Sequence, residues 1–103
     1  MVDFKFADYG VNFGTRAQGA ELREKLLPLI KGKERVVLDF TGVNVVTNSF
    51  ADECISKLLL EMPLDELKAR TTFKGLTPMA NKSVLVALQR RYKVMNDPNL
   101  QVQ

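Results

Sequence analysis

Histidine and tryptophan are absent from this 103-residue chain, and cysteine occurs once, as Cys54. Without histidine the commonest general base and the commonest metal ligand are gone, and with a single thiol a zinc site is not expected. A single cysteine also excludes an internal disulfide and points to a reducing cytosol. Long apolar runs are missing, so no segment approaches membrane-spanning length. The opening MVDFKFADYG carries acids where a signal peptide would carry lysines, and it has no apolar central run. Gly10, Gly14 and Gly19 stand four and five residues apart and match no nucleotide-binding motif. These absences lead to the expectation of a soluble, cytoplasmic protein with no cofactor, no metal and no membrane partner.

What is present is an ordinary globular balance, 46% hydrophobic and 26% charged. The length suits one domain over residues 1–103, with Asn96 to Gln103 read as a frayed tail. The core of so short a chain is modest, which leaves room for a homodimer. The net charge of +3 is unevenly spread. Thr47 to Glu66 holds Asp52, Glu53, Glu61, Asp65 and Glu66 against Lys57 alone. Lys68 to Lys93 holds Lys68, Arg70, Lys74, Lys82, Arg90, Arg91 and Lys93 with no acid. Such blocks are most often solvated faces; the sharper reading is a polarised surface that steers a charged partner. Nucleic acid fits poorly, because little besides Tyr92 is available to stack on a base.

Hydrophobic periodicity sets the expected elements. Val2, Phe4 and Phe6 alternate as in a half-buried strand, and Val11 to Phe13 adds a short paired strand. Thr15 with Gln18 forms a capping-box pattern ahead of a helix carrying Leu22, Leu26, Leu29 and Ile30, which Pro28 ends or kinks. RVVLDF, Arg35 to Phe40, reads as a central strand covered on both faces. Phe50, Ala51, Cys54, Ile55, Leu58, Leu59 and Met62 form one apolar stripe on a second helix closed by Pro63. Arg70 to Leu76 is a further strand. Thr77-Pro78 then opens a last helix with Val84, Leu85, Leu88 and Tyr92 on its apolar face. The alternation predicts an α/β fold, a small open mixed sheet of about four strands with three helices packed on it.

The stretch VVTNSFADECISKLL, Val45 to Leu59, concentrates the functional question. Asn48 or Ser49 is suited to cap the second helix, with Asp52 as the capping-box partner. The same geometry holds out a serine whose phosphorylation would sharply change the local charge next to Asp52 and Glu53. An enzyme would have to rely on Asp39, Thr41, Ser49, Asp52 and Lys74. Asp39 would serve as a base with a raised pKa, though a carboxylate at a strand end more often binds loop amides. The expectation is a protein without catalytic residues.

VVLDFTGVNVVTNSFADE, Val36 to Glu53, is similar to a STAS domain, the fold of anti-sigma-factor antagonists and of sulfate-transporter tails. FKGLTPMANKSVLVAL resembles that fold's closing strand, turn and helix, and the likeness runs from Lys33 to Tyr92. Closer still is a STAS-like family of unknown function, through Phe50-Ala51-Asp52-Glu53 and through GTRAQGAELREKL upstream. The resemblance implies a non-enzymatic regulator that binds a histidine-kinase-type ATP-binding partner, as the antagonists do. It places Ser49 at their phosphoacceptor position. Thr47, Asn48, Ser49, Phe50, Asp52 and Glu53 would form the contact, with Asp39 and Thr41 as polar support. The alternative is a sensor of a small nucleotide or anion, held beside Ser49 or toward the Lys74–Thr77 turn. A nucleic-acid accessory role through Lys82, Arg90, Arg91 and Lys93 ranks last.

Overall fold

The computed structural model describes residues 1–97. The expected tail therefore divides: Asn96 is the last residue of a helix, and 98–103 lie outside the described residues. Strand β1 (Val2–Lys5) passes through a 3-10 turn (Phe6–Asp8) to a two-residue strand β2 (Asn12–Phe13) and helix α1 (Arg16–Ile30). Strands β3 (Val36–Asp39) and β4 (Val45–Val46) precede helix α2 (Asn48–Cys54) and a 3-10 stretch (Ser56–Leu60). Helix α3 (Leu64–Arg70), strand β5 (Thr71–Lys74) and helix α4 (Pro78–Asn96) complete the order.

The sheet is not one mixed sheet. β1, β3 and β5 form a three-stranded parallel sheet with β3 at its centre, and β2 pairs with β4 in a separate parallel pair. Each strand is separated from its partner by a helix, and chains joined through helices pair in parallel. All four residues of β3 are buried, as expected of a strand covered on both faces. The core fills the space between sheet and helices. Phe6 stacks on Phe40 at 4.0 Å between ring centroids, and Phe13 lies 4.8 Å from Phe50, so one aromatic cluster joins the three-stranded sheet, the β2–β4 pair and α2.

Among the described residues four α-helices form where three were expected, for local reasons. The stripe from Phe50 to Met62 is buried throughout, but it is divided between α2 and the 3-10 stretch, and Pro63 caps α3 instead of merely ending α2. Among the core residues α3 contributes only Leu67, too little for a visible apolar period. Its acids Asp65 and Glu66 in the first turn and Lys68 and Arg70 in the last complement the helix dipole. The Thr15–Gln18 capping box opens α1 as read from the sequence. Pro28 does not end this helix, which continues to bury Ile30 fully; the proline removes one hydrogen bond in the last turn only. On α4 the buried residues are Ala80, Val84 and Ala87, whereas Leu85 and Tyr92 are about half exposed. No helix among the described residues is long and apolar enough to cross a membrane.

Candidate functional site

The β2–β4 pairing (Asn12 with Val45, Phe13 with Val46) sets the site, because each strand leads within a few residues into a helix. The starts of α1 and α2 are thereby brought side by side. Thr47 fastens them: its hydroxyl accepts from the Phe50 amide at 3.2 Å and donates to the Gly14 carbonyl at 3.1 Å. Thr47 is the cap of α2, where Asn48 or Ser49 had been expected. All three residue types cap helices, and Thr47 is the one whose backbone is held by Phe13. Gly19 permits the helices to meet, since a Cβ there would stand 2.8 Å from Glu53 Cβ and 3.0 Å from the Phe50 carbonyl oxygen.

Asp52 and Glu53 follow on α2, and each gathers arginines from elsewhere in the chain. Asp52 accepts from Arg16 Nη1 at 2.8 Å and, in a two-point fork, from Arg91 Nη2 at 2.6 Å and Nε at 3.1 Å. It is therefore not the capping-box partner of Ser49. Glu53 is buried and accepts from Arg23 Nη1 at 2.8 Å, Lys57 Nζ at 2.9 Å and Arg16 Nη1 at 3.3 Å. Arg23 Nη1 also donates to the Glu53 carbonyl oxygen. Burial by itself would raise the Glu53 carboxyl, but the hydrogen bonds from Lys57, Arg23 and Arg16 outweigh it and bring it down to about 2. The same contest, burial against Arg91 and Arg16, leaves Asp52 below the usual carboxylate range. The Arg16 guanidinium is held above its ordinary value, chiefly by Asp52.

Above this network lies an open groove of about 350 Å³ between α1, α2 and α4. Arg16, Arg90 and Arg91 line it with Asp52, the exposed Asn48 and Ser49 stand at its edge, and Ala87 and Val94 form an apolar wall. Three arginines thus face the groove against one aspartate. Among the described residues no group of three or more acid or thiol side chains is placed to hold a metal ion.

The residues singled out from the sequence are distributed unevenly around this groove. Asn48, Ser49 and Asp52 line it. Thr47 sits behind it as the cap, Phe50 is fully buried in the aromatic cluster, and Glu53 lies under it in the ion-pair network. Asp39, Thr41 and Lys74 do not line it. Asp39 accepts from the Thr41 amide at 2.9 Å, and its carboxyl is lowered by hydrogen bonds from Thr41, the reverse of the raised pKa a general base would need. Lys82 and Lys93 lie outside the groove, whereas Arg90 and Arg91 belong to it. Cys54 is buried and desolvation pushes its thiol up to about 12, so it serves as packing. Arg16 and Arg23 carried no local signal of their role: Arg16 reaches Asp52 across 36 residues and Arg91 does so across 39.

The fold and groove describe a small parallel α/β domain with a cationic cleft at the start of one short helix. Residues 18–81 match the model of the STAS-like domain of unknown function, and the chain belongs to that family. No curated protein and no solved structure gives a significant match.

Proposed function

We propose that this STAS-like domain is a non-enzymatic regulator that acts through a protein partner, with Ser49 as a phosphorylation switch. The contact centres on the start of α2, where Asn48 and Ser49 are exposed. One observation carries the reading: the helix cap is made by Thr47, so the Ser49 hydroxyl, which makes no hydrogen bond among the described residues, stands exposed at the edge of the arginine groove. A phosphate added there carries about two negative charges and enters the reach of Arg16, Arg90 and Arg91. It would compete with Asp52 for the two arginines that now bind it, and so alter the surface a partner meets. The resemblance to anti-sigma-factor antagonists supports a histidine-kinase-type ATP-binding regulator as that partner. The intact mass of the purified domain, incubated with ATP and kinase-active host lysate, provides the test. A single phosphate adduct that disappears in Ser49→Ala is expected; an unmodified wild-type mass overturns the switch.

A further inference from the structure

We infer that the groove between α1, α2 and α4 is a binding site for the phosphoryl group of a free phosphate monoester, gripped by Arg16, Arg90 and Arg91. The inference goes beyond the Ser49 switch and does not require that serine to be modified.

The first argument is the donor inventory. Each guanidinium offers five N–H donors in a planar fork suited to phosphate oxygens. Arg91 commits Nε and Nη2 to Asp52, and Arg16 commits Nη1 to Asp52 and Glu53. The Nη1 group of Arg91 and the Nε and Nη2 groups of Arg16 make no hydrogen bond among the described residues. Arg90 is exposed and has no hydrogen-bonding or ionic partner among them at all. Three cations at one cleft thus retain the donors that a tetrahedral dianion would accept from.

The second argument is preorganisation. A flexible surface arginine loses rotamer freedom when it grips an anion, which weakens binding. Here Asp52 already holds two of the three in place, and its side chain is only 16% exposed. Asp52 in turn is carried on the helical turn whose other acid, Glu53, is anchored by Arg23 and Lys57. Arg16 and Arg91 are aimed before any ligand arrives, and Arg90 closes on it from the exposed side.

The third argument is charge. Arg16, Arg90 and Arg91 repel one another around the groove, and Asp52, with Glu53 on Arg16, neutralises only part of that charge. A dianion removes the repulsion, whereas a neutral or cationic ligand leaves or increases it. The volume of about 350 Å³ lies at the small end of ligand sites, enough for a phosphoryl group and a short body against Ala87 and Val94.

Thermal unfolding and calorimetric titration at constant ionic strength, with inorganic phosphate and glycerol 3-phosphate as probes and glycerol as the uncharged control, test the assignment. Saturable binding of both phosphates at millimolar concentration is expected, with none for glycerol. Arg90→Gln removes an unpaired, exposed guanidinium and so should leave the fold intact. It should weaken glycerol 3-phosphate by about tenfold, the loss of one charge-assisted contact. Ser49→Ala should bind the probes within about threefold of wild type, since a hydroxyl at the edge contributes at most one neutral hydrogen bond. That variant separates the two readings: phosphate binding retained while the kinase adduct is lost leaves this site standing by itself. Absence of saturable binding, or binding unchanged in Arg90→Gln, overturns it. Capture of a single-stranded oligonucleotide without any affinity for the small monoesters also overturns it, in favour of a nucleic-acid surface.

Discussion

Helix α4 faces the arginine groove through Ala87, Arg90, Arg91 and Val94, and faces a second groove of about 290 Å³ through Leu85 and Leu88. At about 100° per residue the two sets centre roughly 140° apart around the helix, on different faces. The second groove is walled mainly by Leu38, Ile55, Leu58, Leu64, Leu67 and Phe73, with Lys68, Thr71 and Thr72 also lining it, and is predominantly apolar. Most of those side chains are there for packing: Leu38, Ile55, Leu58 and Leu67 belong to the core, and the groove is the place where its surface is left uncovered. The arginine groove cannot be explained in that way. Arg16 and Arg91 are held by directional hydrogen bonds to two carboxylates, and with Arg90 they concentrate like charges that packing alone would disperse. Apolar surface at a small domain's edge is a consequence of limited chain length, whereas an ordered set of cations around a cleft requires a separate reason.

The comparison can be broken hardest at the contact beneath the charged groove. Gly19→Val would place a branched side chain where even a Cβ stands 2.8 Å from Glu53 Cβ, forcing α1 and α2 apart. A loss of roughly 3 kcal/mol in urea unfolding is expected, the upper range for overpacking. A stable Gly19→Val protein would show that the helices do not depend on this close approach.

Next in size is the buried carboxylate. Glu53→Gln leaves Arg23 and Lys57 without their anion, and should cost about 2 kcal/mol, less than a fully enclosed pair because those cations reach solvent. The same group predicts an acid limb. The Glu53 carboxyl titrates at about 2 in the fold against an ordinary 4.5, so between these values the unfolded chain binds the additional proton. Its contribution to stability is complete above the ordinary value and is lost as pH falls through about 2. Asp52 and Asp39, both lowered, act in the same direction. Urea midpoints from pH 7 down to pH 2 should fall in the wild type and fall less in Glu53→Gln; equal slopes would remove Glu53 from the account.

The smallest effect belongs to the apolar groove. Leu85 is 48% exposed, and Leu85→Lys should change stability by no more than about 0.5 kcal/mol. A much larger loss would mean that this wall supports the core, and the contrast between the grooves would have to be redrawn.

Several elements were legible because their signals are local. The Thr15–Gln18 capping box, the buried run of β3, the stripe from Phe50 to Met62 and the Thr77-Pro78 helix start each depend on neighbours a few residues away. Legibility failed where local chemistry is degenerate or weak. Thr47, Asn48 and Ser49 are all able to cap, and the choice fell to the residue tied to Phe13 and Gly14. Helix α3 buries little, so its presence left no period to read. At the site, the exposed serine and its acidic neighbours were visible, but Arg90 and Arg91 were seen only as part of a basic block and Arg16 only within the GTRAQGAELREKL resemblance.

By itself, then, the sequence determined the alternating α/β order, the core stripes, the lack of histidine chemistry and the Phe50-Ala51-Asp52-Glu53 stretch that lies within the residues matching the family, because composition and periodicity act over short chain distances. Only the tertiary structure decided that the sheet divides into two parallel sheets, that Glu53 is buried while Ser49 stays exposed, and that Arg16 and Arg91 meet on Asp52. The physical reason is the separation involved. Those partners are 36 and 39 residues apart, and only the β2–β4 pairing and the packing of α4 against α2 bring them within hydrogen-bond range.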